Sequence, residues 1–197
     1  MLTGQIADLA AVLRCKPALI IHFSGVPKGT GHAINYPQDL AFALASRDEI
    51  ICCSTIEPGD FVKNPVAASG SIGIVIAPID ETSVIRVWHD DVGSPPSTVA
   101  RRLLDHPTSI ADCVRSFTRD GCLPYNEWLV GPYRVVGLYV ASGAQVQNSD
   151  STYRDKTCGE VLNDLGYSRI FSCLGDQFVE LESTGHWKPL DMATVYP

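Results

Sequence analysis

The apolar residues of this chain come in short runs closed by glycine, proline or polar pairs: 18–23 (ALIIHF), 49–55 (EIICCST), 71–77 (SIGIVIA), 83–89 (SVIRVWH), 126–130 (NEWLV) and 133–141 (YRVVGLYVA). Runs of this length, rich in β-branched and aromatic residues, are read as strands; each falls far short of the about 18 apolar residues that a membrane span needs. Pro58-Gly59 stops the second run, and Gly131-Pro132 separates the last two. A turn at 80–82 joins 71–77 to 83–89, so these two are expected to pair as a hairpin. Helical spacing is confined to the segments between. Ile6, Leu9, Val12 and Leu13 follow Thr3 and precede Pro17, and Leu40, Ala41 and Leu44 follow Pro37. Residues 97–118 give two helical stretches broken by Pro107, and 155–165 turns Cys158, Val161, Leu162 and Leu165 inward. A late hairpin is expected from 169–174 and 177–181 around Gly175-Asp176, and the polar stretch 143–151 reads as a loop. The order lacks the regular strand–helix alternation of a doubly wound sheet, which leaves an α+β fold. At 197 residues a single domain is expected.

Composition narrows the partners. Asp and Glu number 22 against 15 Lys and Arg, a net charge of −7, so a general binder of nucleic-acid backbone is not expected. The opening MLTGQIADLA carries Asp8 and no cation before Arg14. A secretory leader would open with positive charge, so none is expected. The expected setting is cytoplasmic, or a target cell entered without a cleavable leader. Seven cysteines, at 15, 52, 53, 113, 122, 158 and 173, are an odd number with no C-x-x-C. That argues against a disulfide framework and a zinc ribbon, and for small buried hydrophobes in a reducing compartment.

The nucleotide motifs fail on inspection. Gly25-Val-Pro-Lys28-Gly29-Thr30-Gly31 has its lysine before the glycine where a P-loop has it after. Gly29-x-Gly31-x-x-Ile34 lacks the third glycine of a dinucleotide fingerprint. What stands out instead is a polar group on or at the end of each of three apolar strands: His22 in LIIHFSG, Ser54-Thr55 in EIICCST, and Glu127 in YNEWLV. A histidine between isoleucines and a phenylalanine needs a hydrogen-bond partner, and a carboxylate before Trp-Leu-Val is oddly placed for solvation.

In that order, His, then Ser-Thr, then x-x-Glu, the chain resembles the ADP-ribosyltransferase superfamily of toxins and effectors. There a first-strand Arg or His holds NAD, a second strand ends in S-T-S or a related motif, and a late strand carries the catalytic Glu. The resemblance spans residues 18–142, including the middle strands 73–78 and 84–87, leading to Asp90 and Gly93-Ser94. It departs from the family at Ile56, where S-T-S has its last Ser, and at Tyr125, where Gln or Glu is usual. His22 with Ser-Thr also mixes the family's two classes.

The resemblance implies an α+β fold with a split, mostly antiparallel sheet and flanking short helices, its NAD-binding catalytic core at 18–142; outside the resemblance, 143–197 is expected to add a helix and hairpin packed on that core. It implies NAD as substrate and Glu127 as the catalytic carboxylate. Breaking the nicotinamide–ribose bond leaves a ribose cation, and at ~5 Å with an effective dielectric of ~20 a carboxylate stabilises it by about 3 kcal/mol, on the order of a hundredfold in rate. His22 would donate to a ribose hydroxyl or the adjoining phosphate, with Phe23, Ser24 and Gly25 following it along the cofactor. Ser54 and Thr55 would hold the Glu, and Tyr125 would stack on or orient the incoming nucleophile. Tyr36 and Trp88 are candidates to stack a nicotinamide or adenine, and Lys28 to meet phosphate. The acceptor is expected to be a protein, with a nucleobase, a small molecule or water as alternatives, and an inhibitor or activator protein as a further partner. Two readings from other classes stand beside this one. One is a cysteine-nucleophile hydrolase or transferase using Cys52 or Cys53 with a histidine. The other is an inert binding module on a degenerate transferase fold.

Overall fold

Leu9 and Leu13 lie about one helical turn apart and are buried on one side of α1 (Ile6–Cys15). The chain then enters β1 (Leu19–Phe23), whose first residues are buried on both faces. The computed structural model describes residues 6–24, 35–59, 71–80, 82–88, 104–105, 110–117 and 126–197. Within them follow α2 (Gln38–Ala45), β2 (Ile51–Ile56), β3 (Ile72–Pro78), β4 (Val84–Trp88), β5 (Leu104–Asp105), α3 (Ile110–Phe117), β6 (Glu127–Val130) and β7 (Tyr133–Val140). The C-terminal part adds β8 (Gln145–Gln147), β9 (Tyr153–Asp155), α4 (Cys158–Leu165), β10 (Ile170–Leu174), β11 (Gln177–Leu181) and β12 (Trp187–Pro189). The class is α+β with a mostly antiparallel sheet, as the order of the runs predicts.

Ten strands form one sheet in the order β12-β11-β10-β7-β3-β1-β2-β6-β4-β5. The predicted hairpin of β3 with β4 does not form. β3 is buried along Ile72–Ala77, apolar on both faces, and it lies between β1 and β7. β4 lies across the sheet between β6 and β5. A strand apolar on both faces belongs inside a sheet with neighbours on each edge. The turn between them is drawn together by Ser83, whose Oγ accepts from the Ile79 and Asp80 amides at 3.1 Å each. Likewise β6 and β7 are consecutive across Gly131-Pro132 yet separated by β2, β1 and β3.

Two further expectations are corrected. Leu104–Asp105 is a short strand against β4 where a helical stretch was expected, and only Ile110–Phe117 of that region is a described helix. The polar stretch 143–151 holds β8, which pairs with β9. The C-terminal hairpin of β10 and β11 extends the main sheet, because β10 pairs in parallel with β7. The helix expected over 155–165 begins at Cys158, after β9. Thr157 and Glu160 form a reciprocal capping box, and Gly166 closes α4 in the left-handed region at φ 63°.

Candidate functional site

The three strands that carry the singled-out residues lie side by side, in the order β1-β2-β6. Their pairing shows a fork. β1 and β2 are in register at Leu19↔Ile56, Ile20↔Thr55 and Ile21↔Ser54. Beyond Ile21, β1 continues only with β3, through His22↔Ile74 and Phe23↔Gly73. The other end of β2, Ile51–Cys53, runs with β6. The sheet therefore opens between β1 and β2 where His22 leaves the ladder.

The His22 ring bridges this fork. Its Nδ1 lies 2.6 Å from the carbonyl oxygen of Cys52. A carbonyl only accepts, so Nδ1–H donates, and in the neutral ring the remaining Nε2 carries a lone pair. Toward a ligand, Nε2 is the ring nitrogen left to act.

Pleating sorts the other residues. Partners in an antiparallel ladder share a face, and neighbours along a strand alternate. Cys53↔Trp128 faces α3, where the indole Nε1 donates to Ser116 Oγ at 2.8 Å. Carried one step past the last paired rung, this register sets Glu127 opposite Ser54, on the other face with Cys52↔Leu129. On that face Ser54, Glu127 and Leu129 are half-buried and Cys52 is exposed. From β2, Ser54 and Cys52 share this face with Glu127. Thr55 points to the covered face and is fully buried, which corrects the shared role expected of the Ser-Thr pair. Across β6, Trp88↔Glu127 and Arg86↔Leu129 are in register, so a buried indole and a half-buried arginine join the same face.

The remaining candidates are spread more widely. Phe23 meets Tyr139 edge-on at 5.8 Å between ring centres. Ser24 is buried, and its hydroxyl lies 2.8 and 3.1 Å from the two carboxylate oxygens of Asp39, which fixes the end of β1 to α2. Tyr36 is drawn to the C-terminal region. Its hydroxyl donates to Asp164 Oδ2 at 2.8 Å, and Lys156 Nζ lies 5.6 Å from its ring centre and 2.6 Å from the same carboxylate. Burial and the Asp164 charge hold the phenol well above its ordinary pKa, and Lys156 holds Asp164 below its own. Tyr36 thus stands in a structural cluster with its hydroxyl committed. Gly25, Lys28, Tyr125, Cys122, Asp90 and Gly93-Ser94 lie outside the described residues.

Arg86 and Asn126 were not singled out from sequence. Arg86 had a signal in the alternation of 83–89, which sets it on the face of Trp88. Asn126 had none beyond its place before Glu127. It is fully buried; its Oδ1 accepts from the Thr55 amide at 2.7 Å, and its Nδ2 donates to the Ser116 carbonyl at 3.0 Å.

The adjacent cysteines divide as the pleat requires, Cys52 exposed and Cys53 buried. Burial raises the Cys53 thiol well above its ordinary pKa, with the neighbouring Cys52 and Glu127 adding to the effect. His22 bonds the carbonyl of Cys52, which does not activate a thiol. Iodoacetamide is expected to label Cys52 rapidly and Cys53 only on unfolding, read by intact mass and peptide mapping. Cys53→Ala should cost on the order of 1 kcal/mol of stability, and neither Cys52→Ala nor Cys53→Ala should slow turnover of folded protein appreciably. A loss of about a thousandfold in either would revive the cysteine-nucleophile reading. Among the described residues no group of histidine, cysteine and carboxylate side chains is arranged to hold a metal ion.

No family model, no curated protein and no solved structure matches this chain.

Proposed function

We propose that this chain is an NAD-dependent mono-ADP-ribosyltransferase, an effector or toxin in type, that cleaves the nicotinamide–ribose bond and passes ADP-ribose to a protein acceptor. The observation that carries this reading is the adjacency of β1, β2 and β6, with the sheet forked beside His22 and Glu127 set opposite Ser54. Three sequence signals, far apart along the chain, lie on three neighbouring strands.

In this reading Glu127 faces the ribose as positive charge develops on it, and Ser54 holds the carboxylate across the strand gap. The His22 Nε2 meets a ribose hydroxyl, fixing the sugar from the other side of the fork. Trp88, in register with Glu127, is buried and packs beside the carboxylate, and Arg86 brings a positive charge to the same face.

The test is incubation of the purified protein with NAD labelled in the adenylate half, with and without cell lysate. Nicotinamide release is followed by chromatography, and the label is followed on a gel. Release of nicotinamide with label appearing on protein is the expected result. Release without label on any macromolecule would reduce the activity to glycohydrolysis. No release under any condition would overturn the reading and leave the binding module in its place.

His22→Ala is expected to raise KM for NAD while leaving kcat near the wild-type value, because the lost contact serves ground state and transition state alike. A collapse of kcat at unchanged KM would move His22 into the chemistry. Loss of folding would make it a core residue bridging two strands.

A further inference from the structure

Resting on the reading of this face as an NAD site, we propose that Asn126 is a positioning residue that sets the geometry of Glu127 from the buried side of the sheet. Thr55 is paired with Ile20 of β1, and its amide points toward β6. The recorded ladder between β2 and β6 ends at Cys53↔Trp128. At the next rung but one, the Asn126 carboxamide accepts from the Thr55 amide in place of a backbone carbonyl. The side chain thus ties the part of β2 that carries Ser54 to the part of β6 that carries Glu127.

The other end of the same amide is tied as firmly. Nδ2 donates to the Ser116 carbonyl at 3.0 Å and approaches its Oγ at 3.4 Å. Ser116 Oγ also accepts from Trp128 Nε1, and donates to the Cys113 carbonyl at 2.7 Å. Both neighbours of Glu127 are therefore pinned to one residue of α3 on the covered face. With 126 and 128 held inward, alternation sends Glu127 to the open face and leaves β6 little freedom to twist or slide. A buried polar network with its bonds made specifies one arrangement, and the carboxylate inherits that arrangement. A displacement on the order of 1 Å at a reacting group costs roughly a hundredfold in rate.

Two variants test this away from any substrate contact. Asn126→Ala removes both ties. Ser116→Ala keeps the backbone carbonyl and removes only the hydroxyl that serves Trp128 and Asn126. For each, kcat and KM for nicotinamide release are measured on protein shown to be folded by circular dichroism. Asn126→Ala is expected to lower kcat roughly a hundredfold, and Ser116→Ala about tenfold, with KM within about threefold of wild type. A merely structural role would leave kcat of the folded protein unchanged, and that result in folded Asn126→Ala overturns the proposal. If Asn126→Ala does not fold, Ser116→Ala decides, and wild-type kcat there overturns the proposal equally. If the wild-type protein itself releases no nicotinamide, the NAD reading falls and takes the proposal with it, whereas active wild type beside unimpaired variants removes the proposal alone.

Discussion

Glu127→Gln is expected to abolish NAD cleavage to below about a hundredth of the wild-type rate, while folding and NAD affinity persist. The substitution keeps the shape of the side chain and removes its charge. Glu127 is half-buried on the open face, so the amide can be hydrated there and need not disturb the sheet. The neighbours that fix its direction, Asn126 and Trp128, are untouched. Loss of rate without loss of affinity is the mark of an interaction made with the transition state and not with bound NAD. The measurement is kcat and KM for nicotinamide release, with isothermal calorimetry for NAD on the variant. Retention of more than about a tenth of the wild-type kcat would remove the electrostatic role given to this carboxylate. Lost rate with equally lost affinity would instead make Glu127 a binding residue for the sugar.

The strands were legible because their apolar runs are short, β-branched and sharply closed, and those properties are local. Which strand lies beside which is not local. Residues 71–77 and 83–89 have every feature of a hairpin, a tight polar turn included, yet β3 is apolar on both faces and is drawn inside the sheet. Thr55 was grouped with Ser54 as a motif, but strand alternation gives the two residues opposite faces, and only the register against β6 shows which one meets Glu127. Tyr36 illustrates a second limit. Nothing near it in sequence announces that its hydroxyl is taken by Asp164, 128 positions away. Asn126 illustrates a third: as a single polar residue beside a better-known motif it carries no pattern, and its role comes from two partners on other elements. The His22 tautomer, too, follows from a backbone carbonyl on a neighbouring strand and from no residue type.

Gly73→Ala is expected to damage both the stability of the sheet and the grip on NAD, through a single methyl group. β1 and β3 pack their backbones closely at this rung, where Phe23 pairs with Gly73. A Cβ built at Gly73 would stand 2.7 Å from the His22 carbonyl oxygen and 2.7 Å from Ile21 Cγ2, with Phe23 Cδ1 at 3.1 Å. The first of these is backbone held in the ladder with β3, so relief comes only by moving β1 at His22 or by parting the strands. Overpacking of this kind costs about 1–3 kcal/mol. In a chain of this size each kcal/mol lowers Tm by roughly 2–4 °C, so a fall of several degrees is expected. Because the displaced residue carries the ring that bridges the fork to Cys52, KM for NAD should rise with the loss of stability, even at temperatures where the variant is fully folded. Gly159→Ala is the matched control. Gly159 lies in the first turn of α4 with ordinary helical backbone, a Cβ there meets nothing within 4 Å, and alanine at such a site stabilises by about 0.4–1 kcal/mol through the unfolded chain. That variant should melt slightly higher and bind NAD as wild type does. Differential scanning calorimetry with NAD kinetics on the two variants separates the cases. An unchanged Tm and KM in Gly73→Ala would mean that β1 and β3 are less closely apposed at His22 than their register implies, and the fork would lose its fixed edge.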